Sequence, residues 1–440
     1  MITVTEYAEL QSYQKTVVTE KAANTVIASR RAYISQKTLD WMIDKYQATR
    51  IEETDQVLVL EEVRRNSFKL GAYVGYIQSP FNEEQIQILP KIELGDSQIE
   101  KSKNILKNML SEVYDIRPKE MSEADLTQTD LPIHEWIIRR FLEELEQLIH
   151  HGLKRDYELV QDVQPYLKGR LLVQQQINHG VGKDYLFEIE YDEFLFNGIE
   201  NRLIKTALIY ALEMTRNDHS IAIGHDFTEL MHEIPTCHDP VESLGQWREG
   251  KLFSQYEDIK PWCELLLLNI NPSFQNGERR GMSLLFSMPQ LFEKYVAKKL
   301  QTQLKPCHRL QIQPSRQTLV SHTPKNRTLQ NWFALEPDLA DYKEGDCQVI
   351  LDTKWKFIHQ EKANSTEKYG ISQADLYQMH AYGNKYLGQK GQLILIYPKH
   401  QKFTVHLPHF NYSDELCLYV LPFDLEKGVL IGQEVVAAMI

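Results

Sequence analysis

Three side chains in the 440-residue sequence have the types and spacing that metal-assisted hydrolysis of a phosphodiester needs: Asp338, Asp352 and Lys354. Asp352 and Lys354 are two residues apart, so on a β-strand both project from one face. A tight hairpin that brings Asp338 beside them gathers two carboxylates and an ammonium. The carboxylates suit Mg²⁺, a hard cation that takes oxygen ligands. Such an ion activates water and stabilises charge developing on phosphate, and the lysine orients the water or adds positive charge. Two aspartates and a lysine can also face water on an ordinary surface hairpin. The apolar run Val349, Ile350, Leu351, Trp355, Phe357 around Asp352 argues instead that the charges end a core strand.

The elements around these residues must do the positioning. Trp332–Leu335 reads as a short strand ending in Pro337-Asp338. Tyr342–Asp346 reads as a turn and Val349–Phe357 as a second strand, antiparallel to the first. Upstream, a helix over Met282–Leu300 carries Glu293, a candidate third carboxylate. Downstream, Ser372 and Asp375 form a capping pair that opens a helix. On it Gln378 and Tyr382, four apart, share a face directed at the cleft or at a nucleic-acid backbone. Leu393–Tyr397 reads as a buried strand.

Earlier segments read as strands at Gln56–Leu60, Phe68–Gln78 and Gln85–Ile92, the last two a hairpin across Ser79–Asn82, with a helix over Ala28–Lys45. Helical spacing follows over Glu100–Tyr114 and from Leu131 to His150. A strand is expected at Phe187–Asp192, a helix at Gly198–Thr215, loops from Asn217 to about Gly250, and a helix at Ile259–Leu268.

Composition bounds the class. With 25% charged and 42% hydrophobic residues the chain is globular, of two or three domains. No apolar run reaches the roughly 18–20 residues that span a bilayer. The start, Met-Ile-Thr-Val-Thr-Glu-Tyr, lacks the basic-then-apolar pattern of a signal peptide, so a cytoplasmic location is expected. Five cysteines at least 26 residues apart match neither zinc-ligand spacing nor a disulfide framework.

The net charge of −12 would discourage nucleic-acid binding if it were uniform. It is not. From Lys294 to Arg327 eight Lys or Arg occur with no Asp or Glu. Of these Lys298, Lys299, Lys305, Arg309, Arg316, Lys325 and Arg327 are candidate DNA-backbone contacts, with Tyr382 beside them. A solvated helix face followed by a polar loop is the alternative reading.

Three other signals are discounted. Gly245-Gln-Trp-Arg-Glu-Gly250-Lys251-Leu252 nearly spells a phosphate-binding loop, but Leu252 stands where Ser or Thr must hold Mg²⁺, and no apolar strand precedes it. The chain therefore shows no NTPase motif of its own. Glu188, Glu190 and Asp192 read as the wet side of a half-buried strand. His150-His151 favours the dipole at a helix end.

The order Glu293, Pro337-Asp338, Asp352-Thr353-Lys354, Gln378-x-x-x-Tyr382 resembles the PD-(D/E)xK nuclease superfamily. The wider text resembles one family within it, McrC, the nuclease subunit of McrBC-type restriction systems. Arg155-Asp156-Tyr157, Leu167–Arg170, Tyr191–Phe194, Asn201–Lys205, Leu291–Val296, Asp352–Lys356 and Asp375–Met379 carry that resemblance. It implies an α/β protein in two parts. Residues 1–160 form a mixed β/helical module that engages and stimulates a hexameric McrB-like AAA+ GTPase. Residues 161–440 form a restriction-endonuclease-like region with a mixed central sheet and a catalytic core at about 282–400. The implied catalytic set is Asp338, Asp352, Lys354, Glu293 and Gln378; Asp338, Asp352 and Glu293 would hold Mg²⁺. Double-stranded DNA would be the substrate, GTP would bind the partner, and no membrane would be involved. The rivals are a non-catalytic activator or DNA-binding adaptor of an AAA+ motor, and a stand-alone repair-type nuclease.

Overall fold

The computed structural model describes residues 1–12, 29–47, 60–64, 67–81, 84–91, 98–116, 131–178, 185–269, 281–303, 305, 308–325 and 327–432. The chain forms two compact units, one of Met1–Pro118 with Leu285–Ile440, the other of Lys119–Leu284. The units therefore do not follow a 1–160 and 161–440 division: the N-terminal strands and the residues from 285 onward share one unit.

In the first unit, Ile2–Ser12 is a central strand. It pairs in parallel with Gln85–Leu89 and Ser29–Ile34 and antiparallel with Ser67–Leu70. Val4, Ala8 and Leu10 are fully buried at alternate positions, and Glu6 points inward with them. The hairpin between Tyr73–Gln78 and Gln85–Leu89 forms as the alternation predicts. Residues 28–45 are not one helix. Ser29–Ile34 is a strand and the helix is Gln36–Gln47; Arg31, Ala32, Tyr33 and Ile34 suit a strand against Ile2–Ser12. Residues 56–59 of the expected strand Gln56–Leu60 lie outside the described residues; Leu60 opens the strand Leu60–Arg64.

The second sheet of this unit runs in the order His308–Ile312, Leu339–Lys343, Asp346–Thr353, Gly391–Pro398, Leu416–Asp424, Phe410–Asn411, with Val429–Leu430 also on Leu416–Asp424. It is mixed: the first three strands are antiparallel, and Asp346–Thr353, Gly391–Pro398 and Leu416–Asp424 are parallel. The helix Gln373–Tyr386 covers one face, burying Met379 and Tyr382 with Ile350, Leu393, Leu395, Leu418 and Val420. Each such side chain contributes about 1.5–3 kcal/mol on burial. That apolar layer fixes the register on which the charged residues at the strand ends depend.

Two expected elements differ here. The residues 282–300 open with a strand, Met282–Ser287, and the helix is Met288–Gln303. The run Met282-Ser-Leu-Leu-Phe-Ser alternates too little to be told from a helix by periodicity alone. Trp332–Leu335 does not pair with the Asp352 strand. It belongs to Gln330–Leu335, which pairs with Gln317–His322 in a separate two-stranded sheet, and Leu339–Lys343 forms the hairpin with Asp346–Thr353.

The second unit holds a three-stranded antiparallel sheet (Asp156–Gln164, Phe187–Leu195, Arg170–Leu171) and helices Ile133–His151, Ile199–Met214 and Lys260–Asn269. Residues 217–250 are more ordered than the loop expected: Asp218–Leu230 and Pro240–Leu244 are helices. Asn217 caps the first by accepting from the His219 and Ser220 N–H groups, and Asp239 caps the second. No described helix is long and apolar enough to cross a membrane.

Candidate active site

The hairpin Leu339–Lys343 to Asp346–Thr353 pairs Leu339 with Leu351. Asp338, one residue before the first strand, therefore lies beside Thr353 at the end of the second. Its Oδ2 accepts from the Thr353 N–H and from Thr353 Oγ1, both at 2.6 Å. Thr353 thus sets the Asp338 rotamer from both its backbone and its side chain. The regular strand ends at Thr353, short of the expected Phe357. The Lys354 N–H nevertheless continues the parallel ladder by donating to Ile396 O at 2.9 Å.

Asp352 and Lys354 share a face, as their spacing predicts, and form an ion pair. Asp352 is 1% exposed. Apart from the Lys354 ammonium, neither of its carboxylate oxygens has a hydrogen-bond partner among the described residues. Burial, and then the charge of Asp338, push its pKa up to about 7 against the pull of Lys354. Burial also raises Asp338, although Thr353 and Lys354 oppose it. Burial works against the Lys354 ammonium, but Asp352 and Asp338 outweigh it and hold the lysine charged.

Glu293, on the helix Met288–Gln303, is raised to about 7 by burial and by Asp338, and Gln313 hydrogen-bonds its carboxylate. The Gln313 N–H also donates to Asp338 O at 2.8 Å. Gln313 thus ties the Asp338 backbone to Glu293, and it does so at φ +44°. Among the described residues no three His, Cys, Asp or Glu side chains are gathered closely enough to hold a metal ion. The charge of Asp338 acts on both Asp352 and Glu293, without a ready three-ligand cluster.

The helix Gln373–Tyr386 starts as its capping pair predicts, the Asp375 N–H donating to Ser372 Oγ at 3.1 Å. Asp375 also pairs with Lys356 at 2.9 Å, and although burial opposes it, that pairing and the cap hold its pKa below the ordinary value. Gln378 and Tyr382 do share a face: Gln378 Nε2 donates to Tyr382 OH at 2.8 Å. Tyr382 is 1% exposed and donates to Glu336 O at 3.0 Å, so its hydroxyl anchors the segment leading into Asp338.

The basic stretch divides. Lys298 and Lys299 pair with Asp115 and Glu112, and Arg316 pairs with Glu336 at 2.7 Å. Arg309, Lys325 and Arg327 are exposed, as is Lys305. Glu190, on the acidic strand row, accepts from Gln161 Nε2 at 2.9 Å, as a solvated sheet face does.

Sequence reading missed Thr353 and Gln313. Thr353 lies inside the motif, and the strand-end register was the only signal for it. Gln313 had none, since it stands 25 positions before Asp338. It also missed Glu6, whose carboxylate accepts from Trp355 Nε1 at 2.9 Å.

With this geometry in hand, comparison with known proteins gives the family. A family model described as McrBC 5-methylcytosine restriction system component matches residues 68–398. No curated protein matches the chain. A chain of the solved half-complex of Thermococcus gammatolerans McrB AAA+ hexamers with bound McrC is 18% identical. The match covers 97% of this chain and 95% of that one at a TM-score of 0.61, so the two share a fold. A chain of the T. gammatolerans McrBC complex is 20% identical over 68% of this chain and 86% of that one, at a TM-score of 0.47. The family match spans both the N-terminal hairpin and the strand pair at whose end Asp338, Asp352 and Lys354 lie, and by it the chain belongs to the McrBC 5-methylcytosine restriction system component family.

Proposed function

We propose that this chain is the McrC-type nuclease subunit of its restriction system, hydrolysing DNA phosphodiesters with Mg²⁺ at a PD-(D/E)xK-like site. The observation that carries this reading is the buried Asp352 carboxylate, whose oxygens have no partner except the Lys354 ammonium. An ionised carboxylate in such a place costs several kcal/mol unless it is compensated. Lys354 pairs with Asp352, while Asp338 and Glu293 bring two further carboxyl groups, so ionising all three leaves excess negative charge. That donor set, all oxygen, fits a divalent cation.

Asp338 and Asp352 would hold the ion, with Glu293 contributing charge from its helix. Bound there, the ion supplies a more acidic water and neutralises charge on the phosphate. The chain's own residues do the rest. Thr353 locks Asp338 in one rotamer, and Gln313 fixes its backbone. Lys354 places a positive charge at the strand end, where it orients the attacking water or meets the phosphoryl oxygen. Gln378 and Tyr382 hold the approach to Asp338 through Glu336 O.

The neighbouring fold was solved with McrB AAA+ hexamers, and the chain carries no phosphate-binding loop. Both support a partner AAA+ GTPase as the source of nucleotide hydrolysis. The test compares wild type with Asp352→Asn and Lys354→Ala on plasmid DNA with Mg²⁺, with and without the AAA+ partner and GTP. Wild type should cut only with the partner. Each variant should lose at least about 100-fold in cleavage rate yet still stimulate GTP hydrolysis. Equal cutting by all three would make the cluster structural, and the protein an activator or DNA-binding adaptor. Cutting by wild type alone, without partner or GTP, would make it a stand-alone nuclease.

A further inference from the structure

The two-stranded sheet Gln317–His322 with Gln330–Leu335 belongs to neither large sheet. Nearly every residue on both its faces is exposed or half-buried. Two strands alone are marginally stable in water, so the ribbon needs an anchor. Tyr386 supplies it: its hydroxyl accepts from the Gln317 N–H at 3.0 Å and donates to Leu335 O at 2.8 Å. The Arg316–Glu336 pair closes the same root. The ribbon's second strand then runs through Glu336-Pro337 directly into Asp338.

What the ribbon presents is unusual for a free surface. Phe333 and Leu329 are each 67% exposed, and Trp332, Leu319 and Val320 are about 40% exposed. Phe333 adopts φ +60°, a strained conformation for an aromatic residue. Trp332 lies against His322 with the rings tilted by 54° and their centroids 4.6 Å apart. Lys325 and Arg327 lie exposed at the turn, and the whole segment 317–335 contains no Asp or Glu in a chain of net charge −12.

We propose that the ribbon Gln317–Leu335 is a duplex-gripping arm that enters a DNA groove beside the Asp338–Asp352–Lys354 site, with Lys325 and Arg327 on the phosphates and Phe333 and Trp332 against sugars and bases. This deepens the nuclease reading and rests on DNA being the substrate. Charge complementarity and position together select the occupant: an acid-free basic tip fits a phosphate backbone, and the ribbon leads directly into Asp338, where that backbone would be cut. A two-stranded ribbon fits the major groove, where apolar side chains meet base edges such as the thymine methyl.

The test is fluorescence anisotropy of a labelled duplex with the full-length chain in EDTA, over a salt series. Lys325→Glu with Arg327→Glu should weaken binding at least about 10-fold and flatten the log K against log salt slope by about 2. Phe333→Ala with Trp332→Ala should weaken binding about 3–30-fold and leave the slope unchanged. Unfolding midpoints check that each variant is folded; a ribbon anchored only at its root should leave them close to wild type. Wild-type affinity and slope in all variants would overturn the proposal, as would no duplex binding by wild type at low salt. A loss of self-association in the aromatic variants by sedimentation, with DNA affinity intact, would assign the ribbon to a second copy and overturn it too. The two readings fail separately. Ribbon-dependent binding without cleavage would sink the nuclease reading alone, and Mg²⁺-dependent cleavage with ribbon-independent binding would sink the arm alone.

Discussion

Gln313 shows how one residue outside a motif can set the motif's geometry. Its N–H holds Asp338 O and its side chain meets Glu293, both from a left-handed backbone at φ +44°. For a residue with a Cβ that conformation costs roughly 1–2 kcal/mol, a cost the hydrogen bonds must offset. Gln313→Gly relieves the strain and removes the side chain; Gln313→Ala removes the side chain and keeps the strain. Gly should therefore be the more stable of the two by about 1 kcal/mol in urea unfolding. Both should slow partner-dependent cleavage by about 10-fold, because Glu293 and Asp338 lose their common tether. Equal stabilities would mean that the backbone relaxes elsewhere, and unchanged cleavage would confine Gln313 to a structural role. The contrast with Asp352 and Lys354 is instructive. Their two-residue spacing on an apolar strand was readable, because strand periodicity alone fixes their common face. Gln313 depends on a fold-back across the ribbon that no local pattern encodes.

Among the elements, the helix Gln373–Tyr386 carries much of the site's support: the Ser372 cap, the Asp375–Lys356 pair, Tyr382 on Glu336 O and Tyr386 on the ribbon root. It must therefore lie close to the sheet. Gly383 permits this, since a Cβ there would stand 2.7 Å from Leu416 Cδ2 and 3.2 Å from Leu393 Cδ1. Gly383→Ala should cost about 1–3 kcal/mol by overpacking, against about 1 kcal/mol for Ser372→Ala at the cap. Paired thermal unfolding would check the order, and a Gly383→Ala variant as stable as wild type would show that the helix can slide. The capping pair and the shared face of Gln378 and Tyr382 were legible because both are local. So were the hairpin at 73–89 and the helix up to His151, where alternation or helical spacing is sustained. The strand Met282–Ser287 was not, because a short apolar run followed by a helix lacks a distinguishing period. The partner of Trp332–Leu335 was misassigned for a related reason. Two consecutive hairpins separated by Pro337-Asp338 look, in sequence, like one. The carboxylate still reached Thr353, since the hairpin that does form starts one residue later.

At the scale of the molecule, the first strand and the segment that follows the Asp346–Thr353 strand are joined through a buried carboxylate, that of Glu6. Glu6 is 1% exposed and accepts from Trp355 Nε1 and from the Lys91 N–H at 3.0 Å. Trp355 in turn lies against Phe292, ring centroids 5.3 Å apart, next to Glu293. The N-terminal sheet thus touches the strand end that carries Lys354 and the helix that carries Glu293. Sequence could not reveal this link, because its partners stand 349 residues apart. Burial pushes the Glu6 pKa up to about 7, against the hydrogen bonds from Lys91 and Trp355. An unfolded glutamate titrates near 4.5. The folded state therefore binds the proton more tightly, and Glu6 favours folding most below about pH 4.5. That contribution is lost as pH rises through about 7, and by pH 8 the loss approaches about 3 kcal/mol. Glu6→Gln keeps an acceptor for the Lys91 and Trp355 N–H groups and cannot ionise. It should match wild type within about 1 kcal/mol at pH 5 and exceed it by about 2–3 kcal/mol at pH 8. Urea midpoints at the two pH values measure the difference directly. A gap between variant and wild type that stays constant with pH would mean that Glu6 is ionised throughout, and that the hydrogen bonds from Trp355 and Lys91 outweigh its burial.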